Sequence, residues 1–364
     1  MNEVRMRYPD YILKVLGAVA LIMAASSCVK SDILYDESQG EISISPVSSV
    51  QSKTLLGPVA DAVYPNGETM GIIAYASEME GTWTGSLDGA SLYIDGGEFK
   101  YDEFWGRWAG WDGSAHYPYY WPDKGSLVFA GYSPYRRGGS PLENVSFDVK
   151  SKTLSVTDYQ VEPYVPMTEA QMDNGSTQYD NKNQSDLMYF LPRSDVYGNY
   201  IGVNAVDAYA AAFYHALALV VFNVQAESSD DVNYIRLRGI TLDGMASAGD
   251  LSVQMSNTPA GNVEWTLSDG ASFESRRVLY NPSESGGMKL STATRQVVEI
   301  LTIPVGLHNI EITYSLIVNG KPHEETVTNQ AQWEAGKKYV YNLILGTENI
   351  QLIPQITTDW ATNE

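Results

Sequence analysis

The chain has 364 residues, 44% of them hydrophobic and 18% charged, with 25 Tyr, 31 Gly and 16 Pro. That length suits two domains, each able to bury a core, and the composition excludes a disordered, collagen-like or coiled-coil protein. A net charge of −21 excludes binding to nucleic acid or to anionic membrane surfaces by charge, and one cysteine excludes an internal disulfide framework.

The first residues have the pattern of an export signal. Arg5, Arg7 and Lys14 precede an apolar run from Val15 to Ala25, too short to span a bilayer. Met6 is an alternative start that keeps a charged leader. Ala24-Ala25-Ser26-Ser27 and then Cys28 follow, and this resembles the lipobox of bacterial lipoproteins, with Ala25 where leucine is usual. The resemblance implies cleavage before Cys28, acylation of that residue and anchoring in the outer membrane, because several acyl chains hold a protein stably. The alternative is an ordinary cleavage site beside an incidental cysteine.

Residues 28–40 read as a polar tether. Glu41 to Val47 alternates apolar and polar and predicts a strand, with Pro46 placing it at an edge or near its own end. Ser48 to Gly67 reads as a loop marked by Pro58, Pro65 and Asn66-Gly67. Strands are predicted at Met70–Ala74, Leu127–Tyr132 and Val145–Val149. Between them lies a dense aromatic cluster: Tyr101, Phe104, Trp105, Trp108, Trp111, Tyr117, Tyr119, Tyr120 and Trp121. It serves either as core between strands or as a set of sugar-stacking platforms on Trp105, Trp108 or Trp111.

Gln171 to Gln184 reads as a long polar loop, with one helical turn at Thr168–Met172. Phe213 to Val224 reads as one long apolar strand covered on both faces. Ile235 and Leu237 share one face, Arg236 and Arg238 the other. Ile310 to Val318 alternates strictly into Asn319-Gly320, the signature of a type I′ hairpin. Tyr339 to Leu345 alternates again. Ile350, Leu352 and Ile356 have even spacing in the last segment, with an interruption expected at Pro354. The fold expected is all-β: two antiparallel β-sandwich domains, residues 41–200 and 201–364, after a signal peptide at residues 1–27.

No nucleophile elbow, phosphate loop or zinc-protease motif occurs, and no Cys/His spacing suits a metal. Acidic pairs such as Asp102-Glu103 and Glu324-Glu325 point to opposite faces of a strand. The chain therefore reads as a non-enzyme without cofactor, and His215 as a hydrogen-bonded structural histidine. A glycosidase with carboxylates from distant positions is the catalytic alternative.

Several segments together resemble the fimbrillin family of Bacteroidetes, the Mfa-like and FimA-like type V pilins. They are Gly71-Ile-Ile-Ala-Tyr75, Tyr119-Tyr-Trp-Pro122 with Leu127–Pro134, Ser185-Asp-Leu-Met-Tyr189, Phe213-Tyr-His-Ala-Leu-Ala218, Trp333-x-x-Gly336-Lys-x-Tyr339-x-Tyr341 and Asp359-Trp360. The resemblance implies two transthyretin-like Greek-key sandwiches, a surface fimbria as destination, other fimbrillin subunits as partners, and adhesion to host or bacterial surfaces. It also assigns the aromatic cluster to structure.

The family's assembly implies that a protease cuts after a basic residue past the first strand, and that a strand from another subunit fills the groove. Lys53, the only Lys or Arg between Lys30 and Lys100, stands at that place, where the family usually has arginine. The alternative is an exposed loop lysine. Residues 350–360 are either the donor strand or the internal last strand of the second domain. The competing function is a glycan-binding outer-membrane lipoprotein.

Overall fold

The computed structural model describes residues 40–48, 53–54, 57–58, 69–78, 81–83, 90–137, 139–177, 184–284 and 286–357. Strand dominates throughout, and the protein is all-β with sheets packed face to face. Among the described ladders, pairing is antiparallel except at two places. Ile44–Ser48 runs parallel to Tyr209–His215, and Ala218–Ala226 runs parallel to Lys338–Leu345.

The first sheet nearly closes on itself. Its order is Ile44–Ser48, Tyr209–His215, Met188–Phe190, Ser126–Ser133, Thr69–Ser77, Ser91–Asp102 and Arg107–Asp112, with Ala115–His116 appended. Ile44 also bridges Trp108, which joins the first strand to the far end of the row. The interior of this ring is one apolar core, holding Ile42, Ile44, Ile72, Phe99, Trp108 and Phe129 among others. Alternation along each strand sends the other face outward. Ile73, Val128 and Ala130 face a second core under the sheet Val145–Asp148, Thr153–Tyr159, Gly249–Gln254 and Asn262–Leu267.

Close approach of an aromatic ring fixes one glycine here. A Cβ on Gly71 would lie 2.2 Å from the ring of Tyr132 on the neighbouring strand. We expect Gly71→Ala to destabilise the fold by about 1–3 kcal/mol through overpacking. An unchanged urea midpoint would show that the ring has room to give.

The C-terminal sandwich packs the sheet Arg295–Thr302, Ala218–Ala226, Lys338–Leu345 and Ile350–Thr357 against Phe273–Tyr280, Ile235–Ala246, His308–Val318 and Lys321–Ala331. The strand Ala218–Ala226 is covered on both faces: Val220, Phe222 and Val224 enter the sandwich core, Leu219 and Val221 the second core. Asn319 and Gly320 have φ of 52° and 77°, as a type I′ turn requires. A single helical turn, Glu169–Asp173, starts in a capping box between Thr168 and Gln171.

Two expectations are corrected. The apolar run from Phe213 to Val224 is two strands in different sheets, broken at Ala216-Leu217. The backbone there bonds outside both ladders: Ala216 N–H donates to Leu187 O, Ala216 O accepts from the Trp265 indole, and Gly336 N–H donates to Leu217 O. Pro354 does not interrupt the last strand, which runs unbroken from Ile350 to Thr357. That strand lies at the edge of its described sheet, where a residue without an N–H is tolerated. Pairing also crosses residue 200 at several places: Tyr209–His215 joins the ring, Gly249–Gln254 pairs with Thr153–Tyr159, and Ile201 and Val203 pair with Thr82 and Leu127.

Candidate functional site

The first strand fills a slot built wholly from residues that follow it. Ile42 and Ile44 are 0% and 1% exposed, and Pro46 is buried on the same parity. Ile44–Ser48 pairs along its whole length with Tyr209–Phe213. On the other side Ile44↔Trp108 is its one pairing among the described residues.

The residues before it are tied more firmly. Ile42 N–H donates to Tyr119 O at 2.6 Å, and Trp121 N–H donates to Gly40 O at 3.1 Å. Tyr209 N–H donates to Ser43 O at 2.8 Å, and the Ser43 hydroxyl donates to Trp108 O at 2.8 Å. Glu41 bridges Tyr120 through its backbone, while its carboxylate takes Arg107 on one oxygen and His116 on the other, at 2.6 Å for His116. The Tyr119–Pro122 motif thus forms one wall of the slot. Glu41 was not singled out by sequence reasoning. Its one available signal was its place as the first residue of the alternating segment.

Lys53 lies five residues beyond Ser48, in a two-residue strand paired antiparallel with Gly57–Pro58. Cys28 and the terminal Asp359-Trp360 fall outside the described residues.

The aromatic cluster divides. Trp108 and Trp121 are 3% and 1% exposed in the ring core, with Tyr101 and Tyr119 packed against it. Burial of Trp108 removes it as a stacking platform. Phe104 and Trp105, by contrast, are 84% and 61% exposed, and Tyr117 is exposed too. This corrects the assignment of the whole cluster to structure. The pair sits in the turn between Ser91–Asp102 and Arg107–Asp112, where Asp102 Oδ1 accepts from the backbone of both residues. Their rings meet edge to face at 4.9 Å.

The remaining motifs are fold locks. Asp186 pairs with His215 Nδ1, so the Asp-Leu-Met-Tyr and Phe-x-His segments meet in space. The Trp333 indole donates to the Tyr341 hydroxyl, and the Tyr339 hydroxyl accepts from Glu334 N–H. Trp333 stacks on His308 with centroids 4.1 Å apart. His308 is fully buried, and burial pushes its pKa down to about 4, an effect that the backbone at Gly244 offsets only in part. Among the described residues no group of His, Cys, Asp and Glu converges as a metal site.

A ring closed by its first strand, joined to an all-β sandwich, is the architecture of the described residues. The chain belongs to the fimbrillin-like family, whose model matches residues 60–360. It is similar in fold to a fimbrial protein from Bacteroides vulgatus, at 12% identity over 88% of this chain and 99% of that one, with a TM-score of 0.51. Proposed cell adhesion proteins also match. One from Bacteroides uniformis has 13% identity, coverage of 88% and 100%, and a TM-score of 0.45. One from Bacteroides ovatus has 14%, 91% and 100%, and 0.48. No curated protein matches the chain.

Proposed function

We propose that the chain is a subunit of a cell-surface fimbria, carried to the outer membrane as a lipoprotein through Cys28 and assembled by strand exchange after cleavage at Lys53. One observation carries this reading. Ile44–Ser48 lies upstream of Lys53 and fills a slot made by residues downstream of it, so a single cut separates plug from socket. The last strand is the candidate donor: it is an edge strand with Ile353 and Ile356 exposed. Its role is structural, without catalysis or cofactor, and adhesion follows from the assembled filament. The division falls at residue 200, with Tyr209–His215 and Gly249–Gln254 pairing back to strands of the first part.

Mass analysis of filaments sheared from cells tests the cleavage: subunits beginning at Thr54 support it. For the anchor, Cys28→Ala should abolish acyl-chain labelling and retention in the outer membrane. Normal labelling of that variant would place the lipid elsewhere or remove it from the account.

The exposure of Trp105 favours a second reading, in which the surface binds glycans. Affinity electrophoresis on glycan-loaded gels separates the two. A stalk subunit migrates unretarded, whereas retardation lost in Trp105→Ala supports the glycan reading.

A further inference from the structure

The root of the N-terminal tether and the exposed aromatic turn meet at one place on the molecule. Arg107 stands between them: its guanidinium pairs with the Glu41 carboxylate and lies 6.0 Å from the centroid of the Trp105 ring. Trp121 N–H holds the carbonyl of Gly40, where the tether joins the fold. Residues 28–40 reach at most about 3.5 Å each, on the order of 45 Å in all. Any surface that holds Cys28 is therefore within that distance of Gly40, and the Phe104–Trp105 turn lies beside it.

The turn keeps its two rings in solvent by its own bonds. Gly106 takes a φ of 63° and donates its N–H to Asp102 O at 2.8 Å, which closes the turn. The Asp102 carboxylate fixes the backbone of Phe104 and Trp105. Two large aromatics exposed on one turn leave apolar area wet. The rings stand at 86° to one another, so they form no common flat platform for a sugar. A Trp and a Phe at the end of a hairpin form an apolar wedge, which partitions to the boundary between lipid headgroups and acyl chains.

Charge sets the kind of surface and the depth. A net charge of −21 gives no attraction to an anionic surface, so the contact is apolar and suits a zwitterionic one. Glu103 is exposed in the same turn and keeps its carboxylate in water, which holds the rings at headgroup level. Asp102 and Arg107 are engaged already, the one by backbone N–H groups and the other by Glu41.

Resting on the lipoprotein reading, we infer that the Phe104–Trp105 turn is a second membrane contact. While Cys28 holds the chain by its lipid, the two rings enter the lipid surface beside the tether and set how the fold stands on the membrane. The tether makes this contact intramolecular, so two rings too weak to bind a membrane alone are held there.

The test uses the lipidated chain carrying Lys53→Gln, which keeps the tether attached, in phosphatidylcholine vesicles with and without bromine on the acyl chains. Bromine quenches only indoles that reach the lipid. We expect brominated lipid to quench part of the tryptophan emission, and Trp105→Phe to remove most of that quenching. Trp111→Phe, on the strand that follows the turn, should leave it unchanged. Equal quenching in the parent chain and Trp105→Phe, loss in Trp111→Phe instead, or no quenching while the protein floats with the vesicles would each overturn the contact. A blue shift that grows with protein density, without quenching by brominated lipid, means that a second copy covers the turn, and overturns it too. Flotation and acyl-chain labelling separate these failures from failure of the underlying reading. If the chain carries no acyl chain and does not float with the vesicles, the lipoprotein reading falls, and the membrane contact with it.

Discussion

Cleavage after Lys53 is expected to turn a stable monomer into a polymerising subunit. Loss of the first strand strips Ile42 and Ile44 from the ring core, each worth ~1.5–3 kcal/mol when buried. It also removes the backbone bonds at Gly40, Ile42 and Ser43, worth ~0.5–1.5 kcal/mol net apiece, and the Glu41 link to Arg107 and His116. Together these amount to several kcal/mol, against a total stability of about 5–15 kcal/mol for an ordinary domain. A donor strand restores most of this, so assembly runs downhill only after the cut. Limited trypsin treatment should nick at Lys53 first and yield ladders stable in mild detergent, while Lys53→Gln should remain monomeric. If the nicked protein never oligomerises, or if native filaments retain residues 28–53, the chain is an anchor or a non-polymerising adhesin.

The second large effect concerns acid. The folded pKa of His308 is about 4, below its ordinary value of 6.5, so the unfolded chain binds more protons between those values. The His308 contribution to stability is complete above pH 6.5, declines as pH falls towards 4, and changes no further below it. The gap corresponds to about 3 kcal/mol. Asp148, Asp195 and Asp231 act in a lower window. Their pKa values are held below the ordinary carboxylate range, chiefly by the Lys150 backbone N–H, the Asn199 side chain and the Ser228 hydroxyl respectively. Their contribution is lost only as pH falls through those depressed values. Urea midpoints should therefore drop between pH 7 and pH 4.5 in the native chain. In His308→Phe, which keeps a ring against Trp333, the drop should be much smaller. Equal losses in both proteins would show that His308 is not the acid-sensitive group.

Local rules carried far in this chain. Strict alternation from Ile310 to Val318 and the Asn319-Gly320 turn fixed a hairpin, because both signals act over a few residues. Double coverage was expected of Phe213–Val224 as one strand, and it holds for the part from Leu219 to Val224, whose residues alternate between two cores. The motif comparison reached the family.

Pairing and burial were decided in three dimensions. Phe213–Val224 is apolar throughout, so nothing local marks the break at Ala216-Leu217; the break comes from distant groups at Leu187, Trp265 and Gly336. Trp105 and Trp108 are three residues apart in one aromatic cluster, yet one is exposed and the other buried. Composition cannot separate a turn from the strand that follows it. The parallel seat of Ile44–Ser48 against Tyr209–His215 links residues about 165 apart, as read from the pair Ile44 and Tyr209. A strand's own sequence specifies which of its faces is apolar, and the tertiary structure alone selects the neighbour that covers it.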